Sequence, residues 1–468
     1  MNFLFAILVV AVVGYAVAST ARIPDAHPRD VLLLRLGLAP GMGFGLVSIW
    51  YLVALAAGVP RWAEIGVEIL AGGGAAGWLY WKHQLPSRSS QPRARTGFVV
   101  AGVISVTGLF ASFWIRYAIE PLGFWDAWAL WNAHARILDL AGHNWREVIR
   151  ASVHPDYPAL LSVTVARMWH SVGGEPTWIP ALIGFLFLVG TTAILYGTLG
   201  VMGQRDASCV ALVLLGLNFG VPAVASSQCA DWPLAYFFTG CLALILLGRQ
   251  TTLLGGLMAG LAAWTKNEGL LFALVLGLTF AVLDRRVLRA LVPPLALMAA
   301  VVLWYKWAIH VPNDLFQPSG QSLLPGYSDP RSLLVRVTDY HRLRTIASRF
   351  SDQLAAFGIL LSPALIVSLQ PSRRKEWLDF RLQLRLLRAP LACVVTLVLM
   401  IAGYAAVYVI TPMNVEIHLT TSIDRLFVQL WPGTLLCALA VIMFSPSTRP
   451  ETGDVNIQRP LHSSYGED

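Results

Sequence analysis

Charge is scarce in this chain. Of its 468 residues only 13% are Asp, Glu, Lys or Arg, against 56% hydrophobic, where a soluble domain carries about a quarter charged. That deficit excludes an ordinary soluble protein and leaves the multi-spanning membrane class. Cysteine is scarce too. Cys209, Cys229, Cys241, Cys393 and Cys437 are scattered, most of them inside apolar runs, with no CxxC. Neither a disulfide framework nor a zinc site fits that pattern. No set of ligating side chains reads as a metal centre, so action without metal or cofactor is expected. No repeat relates the two halves. The apolar stretch 2–19 has no basic segment before it and no clean A-x-A site after it, which predicts a retained span rather than a cleaved signal. The net charge of +8 does not point to nucleic acid. The Lys and Arg residues sit in short clusters between apolar runs, where orientation signals belong.

Those runs predict an all-α polytopic protein of about thirteen transmembrane helices. They cover 2–19, 33–57, 65–81, 97–117, 178–200, 207–224, 231–248, 251–265, 269–283, 290–309, 353–370, 389–410 and 426–444. The stretch 158–172 is apolar but carries Arg167 and His170. Its fifteen residues rise only about 22 Å, short of a hydrocarbon core of roughly 30 Å. It therefore reads as a helix on the surface or buried in protein. With that assignment one side of the membrane receives twenty Lys and Arg, and the short loops of the other receive only Arg61, Lys266 and Arg425. The positive-inside rule then puts the N-terminus outside and the C-terminus in the cytoplasm of a plasma (inner) membrane. Two long outer loops follow, 118–177 and 310–352. The tail 445–468 is polar and reads as disordered.

The first outer loop opens with GFWDAWALWNAHARIL (123–138), where Phe124, Trp125, Trp128 and Trp131 crowd one acid, Asp126. Three short helices are expected in it: one from Asp126 to about Leu140, one from Asn144 with Glu147 completing a capping box, and 158–172. Asp126 admits two readings, a helix N-cap and a catalytic acid or base held at the membrane surface, and one residue can be both.

Other polar groups fall on the same side. HPDYP (154–158) supplies His154, Asp156 and Tyr157. CADWP places Asp231 at the mouth of a span. TKNEG (265–269) sets Lys266, Asn267 and Glu268 between two short apolar segments. TSIDRLFVQLWP (421–432) carries Asp424 and Arg425. Each has a plain structural explanation: a cap for Asp231, a hairpin ion pair for Lys266 and Glu268, a loop staple for His154 and Tyr157, a snorkelling Arg425. Together they gather ionisable groups at membrane depth, which is costly and usually functional. Arg and Lys can hold a phosphate, and a carboxylate can take the proton of an attacking hydroxyl.

These stretches resemble the integral-membrane glycosyltransferases of GT-C fold. That group includes the dolichyl-phosphate-mannose–protein mannosyltransferases and the bacterial lipid A aminoarabinose transferases. Asp126 matches the family's early first-loop acid, HPDYPALL its Pro-containing segment, and Asp231 in CADWPLAYFF its second acid. GGLMAGLAAWTKNEGLLF is similar to its G-x-x-x-G-L-A-x-x-T-K hairpin, and DRLFVQLWP to its Arg-containing late span. The resemblance covers roughly 97–444 and leaves 1–96 as a three-span region without an assigned role. It implies a polyprenyl-phosphate-linked sugar donor, transfer to a glycan, lipid or protein acceptor on the outer (periplasmic) face, and inversion at the anomeric carbon. It casts Asp126 and Asp231 as catalytic, and Arg425, Lys266, Glu268, His154 and Tyr157 as donor- or substrate-binding. Two departures stand out. Asp126 lacks a paired acid, Glu120 being the nearest, and His154 replaces the usual base of the Pro segment.

A transporter or flippase for a lipid-linked or small anionic substrate is the alternative. Transporters favour internal repeats and mid-membrane charges, whereas here the charges collect at one face.

Overall fold

The computed structural model describes residues 3–23, 26–82, 94–310, 328–329, 331–368 and 388–442. These residues are helical, with no strand among them beyond an isolated bridge between Ser328 and Met413. In chain order the first helices are α1 (Phe3–Ser19), α2 (Pro28–Ala57), α3 (Arg61–Trp81) and α4 (Thr96–Ile119). A π-helical turn at Ala127–Trp131 precedes α5 (Asn132–Leu140), α6 (Trp145–Arg150) and α7 (Leu160–Val172). Then come α8 (Trp178–Val201), α9 (Arg205–Leu217), α10 (Gly220–Ser226), α11 (Asp231–Leu246), α12 (Thr252–Thr265), α13 (Asn267–Leu283) and α14 (Arg285–Ile309). The last are α15 (Leu333–Thr338), α16 (Tyr340–Ser368), α17 (Arg388–Ile410) and α18 (Val415–Ile442). The tail 445–468 and residues 311–327 and 330 of the loop expected at 310–352 lie outside the described residues.

The chain is a helical, membrane-embedded protein. Among the described residues five helices (α2, α4, α8, α14 and α17) are long and apolar enough to cross a bilayer, or six if the bent pair α9–α10 is one span. The candidate spans 2–19, 231–248, 251–265 and 269–283 are helices of only 17, 16, 14 and 17 residues. The single span expected at 207–224 is instead broken, with a 75° bend between α9 and α10. Asn218 takes an extended backbone there, and its Oδ1 accepts the N–H of Gly220 at 3.0 Å. That Asx-type turn competes with the helix ladder.

Two helices begin well before their apolar runs. α16 starts at Tyr340, not 353, and α18 at Val415, not 426. Hydropathy marks where a helix meets lipid, not where its backbone starts. The extra turns of α16 carry Arg342, which is buried. It donates to the carbonyl oxygens of Tyr408 and Thr411 at the end of α17 and to Asp329 Oδ2. It thereby satisfies acceptors that a helix end leaves open.

The N-terminal helices pack into the body. In its most apolar window α2 is 67% buried, against 17% for α4 and 22% for α14, so α2 lies inside and the other two face outward. Pro40 interrupts the α2 ladder. The hydroxyl of Tyr236 on α11 enters the gap, donating to Gly37 O at 2.8 Å and accepting from Gly41 N at 3.1 Å. Farther along α2, Ser48 Oγ accepts the indole N–H of Trp264 from α12. The helix expected at 158–172 is α7, which starts at Leu160 and closes on Gly173 at φ 79°. It is buried in protein along most of its length. Its Arg167 makes a two-pronged pair with Glu68 of α3, both bonds 2.7 Å, and reaches Ala6 O of α1. The capping box expected at Asn144 and Glu147 does not form, since Asn144 makes no side-chain cap bond.

Candidate active site

Four distant segments converge at one end of the helices. The connection after α4 is fastened first. Gly123, at φ 73°, lies so close to Ser227 that a Cβ would sit 2.4 Å from its carbonyl oxygen. Only glycine fits there, and the approach lets Phe124 N donate to Ser227 O at 3.1 Å. Gln228, itself at φ 60°, donates to Pro121 O and accepts from Asn132 Nδ2. These bonds set Asp126 beside Asp231, two residues beyond Cys229.

Asp126 is not an N-cap. Its backbone is already helical and its side chain makes no cap bond. Helix geometry begins one residue earlier and widens into the π turn that follows, a feature frequent at functional sites. The carboxylate instead pairs with Arg425, with Oδ2 2.5 Å from Nη1. Trp125 and Trp128 stack edge-on and point outward, while Trp131 is buried against Tyr157. The aromatic crowd of the sequence thus splits into an exposed pair and a core residue. Asp231 is also no cap. It is the first residue of α11, fully buried, with Oδ1 2.9 Å from Lys266 Nζ and accepting from Gln429 Nε2. Its Oδ2 lies 3.6 Å from Arg425 Nη1.

Lys266 sits in the extended break between α12 and α13 and pairs with Glu268 at 2.8 Å, the hairpin ion pair expected from TKNEG, now shared with Asp231. The break is tight because a Cβ on Gly269 would meet Ala262 O at 1.9 Å. Arg425 neither opens its helix nor snorkels to an outer surface. It lies well inside α18 and is held by two carboxylates. Asp424 faces another way, accepting from Gln353.

His154 and Tyr157 stack at 5.0 Å beside this network. Tyr157 is within electrostatic reach of Lys266. Asp156 between them accepts from Asn267 Nδ2, and Lys306 of α14 donates to Asp156 O and Asn267 Oδ1. His154 is at φ 46°. Such backbone costs on the order of 1–3 kcal/mol and survives only where its surroundings hold it.

Part of that hold is His134 on α5. Its buried Nε2–H donates to Val153 O at 3.0 Å, directly before His154. Burial pushes its imidazole down to about 4 from 6.5. Above pH 6.5 it is neutral both folded and unfolded. Below that the unfolded chain takes up the proton first, so stability should fall as pH drops from about 6.5 toward about 4. Thermal melting against pH checks this, and His134→Gln should flatten that part of the profile.

Sequence reasoning passed over Gln429, Tyr404 and Lys306. Tyr404 OH donates to Gln429 Oε1 at 3.0 Å, completing the support of Asp231. Gln429 was within reach, since it lies four residues after Arg425 and so on the same helix face. Lys306, a lone half-buried cation in LWYKWAI, is the kind of charge amid apolar sequence that marks a site.

Comparison of the chain with family models, with curated proteins and with solved structures finds no match.

Proposed function

We propose that the chain is a GT-C-like membrane glycosyltransferase that moves a sugar from a polyprenyl-phosphate donor to an acceptor hydroxyl at the outer face. The observation that carries this reading is the continuous network Asp126–Arg425–Asp231–Lys266–Glu268, assembled from four segments at one end of an apolar bundle. It combines what such a transfer needs at a membrane surface: a carboxylate to accept a proton and cations to stabilise a departing phosphate. The acceptor oxygen attacks the anomeric carbon from the face opposite the phosphate. The C–O bond to phosphate breaks, its electron pair leaves with the lipid phosphate, and the acceptor proton passes to Asp126. Inversion follows. Asp126 suits the base because it is the most exposed acid of the network, 33% against 22% for Glu268 and 1% for Asp231. Asp231 holds Lys266 and Arg425 in place.

The same reading keeps thirteen crossings, with the site outside. Cysteines placed at Arg150 and Tyr340 should then react with an impermeant reagent on intact cells, and those at Arg249 and Arg285 only after lysis. Reaction of Arg285→Cys in intact cells would reverse the orientation.

The breaks at Asn218 and Lys266 also suit a transporter, whose sites are built from interrupted helices. Proteoliposomes carrying a lipid-linked sugar separate the two readings. A transferase converts it to lipid phosphate plus glycosylated acceptor, while a transporter relocates it unchanged.

A further inference from the structure

We propose that Asp126 is a displaceable counter-ion, occupying the anion seat of Arg425 until a phosphate-headed lipid takes that seat and releases the carboxylate. The ligand class rests on the function proposed above; the exchange rests on geometry.

Three carboxylates (Asp126, Asp231 and Glu268) face two cations, Arg425 and Lys266. An anionic head cannot simply join a network already carrying excess negative charge. One carboxylate has to give up its cation. Asp231 is the wrong one to move. It is buried and held by Lys266 and Gln429, and uncovering a buried cation is costly. Glu268 pairs with Lys266, which keeps Asp231 as a second partner and lies deeper than Arg425. Asp126 is the most exposed of the three acids, and Arg425 is its one side-chain hydrogen-bond partner among the described residues. A guanidinium accepts phosphate in the same planar, two-pronged manner as carboxylate, so the exchange replaces like with like.

The exchange orders the reaction. While Asp126 Oδ2 is bonded to Arg425 that oxygen is not open to an acceptor hydroxyl, and the phosphate frees it by taking the guanidinium. The base is therefore armed only once the donor is seated, which keeps idle chemistry low.

The test is equilibrium binding of farnesyl phosphate to the full chain in lipid nanodiscs. Farnesol and inorganic phosphate serve as the separate lipid and phosphate arms. Asp126→Asn, which removes the competing charge, is expected to bind farnesyl phosphate about tenfold tighter, equivalent to about 1.4 kcal/mol. Farnesol affinity should not move, and Arg425→Ala should lose farnesyl phosphate binding. Asp126→Ala repeats the measurement should the Asn variant be poorly folded. Unchanged or weaker farnesyl phosphate binding in a folded Asp126 variant overturns the exchange. An equal gain for inorganic phosphate, with no advantage for the lipid, overturns the lipid source. Because binding needs no turnover, tighter binding by the Asp126 variants together with no sugar transfer by the natural chain would leave the exchange standing and remove the transferase reading.

Discussion

Asp126→Asn is expected to fold, insert and bind a phosphate-headed lipid at least as well as the natural chain, yet to transfer sugar about 10²–10⁴-fold more slowly, the usual cost of losing a general base. The substitution is close to isosteric. Because Asp126 makes no cap bond, helix capping is not at stake. The amide can still accept a hydrogen bond from Arg425 through its oxygen, so the local architecture has a partner for the guanidinium. What disappears is the charge and the proton-accepting oxygen. Initial rates at saturating donor, with thermal melting as the folding control, check this. Near-normal transfer by a well-folded variant would move the base to Asp231 or Glu268.

Breaking the buried pair between Arg167 and Glu68 is expected to cost roughly 3–5 kcal/mol, because the remaining charge stays buried without its partner. Both side chains are almost fully buried, and the two bonds are 2.7 Å each. Arg167→Met should therefore unfold at markedly lower temperature or denaturant. Arg167→Met combined with Glu68→Met should recover much of the loss, since apolar residues of similar volume can replace a buried ion pair. The pair joins α7, which follows the HPDYP segment, to α3, and so ties the first three helices to the site. A single variant as stable as the natural chain would deny them that role.

Much of the helical framework was legible because long apolar runs have few other solutions in a bilayer. Boundaries were less so. α16 and α18 carry polar turns outside the apolar runs, and the bend at Asn218 comes from one side chain bonding its own backbone. The candidate residues were legible because a charge amid apolar sequence stands out, and Asp126, Asp231, Lys266, Glu268 and Arg425 meet in one network. Their pairings were not. A favourable cap residue at a helix start says nothing of a cation 299 positions away, as for Asp126, or 35 positions away, as for Asp231, and both acids spend their carboxylates on such partners. The insertion of Tyr236 into α2 was hidden for the same reason. Pro40 and its flanking glycines mark a weak place in a helix, and only tertiary packing decides what fills it.

The most direct test is a set of polyprenyl-phosphate-linked sugars incubated with the purified full chain and its Asp126→Asn and Arg425→Ala variants, measuring the lipid phosphate released when acceptor is present. The account predicts that the natural chain discharges at least one donor with inversion. Asp126→Asn should bind that donor but release about a hundredth or less, and Arg425→Ala should fail to bind it. Discharge that both variants sustain at the rate of the natural chain would contradict the account.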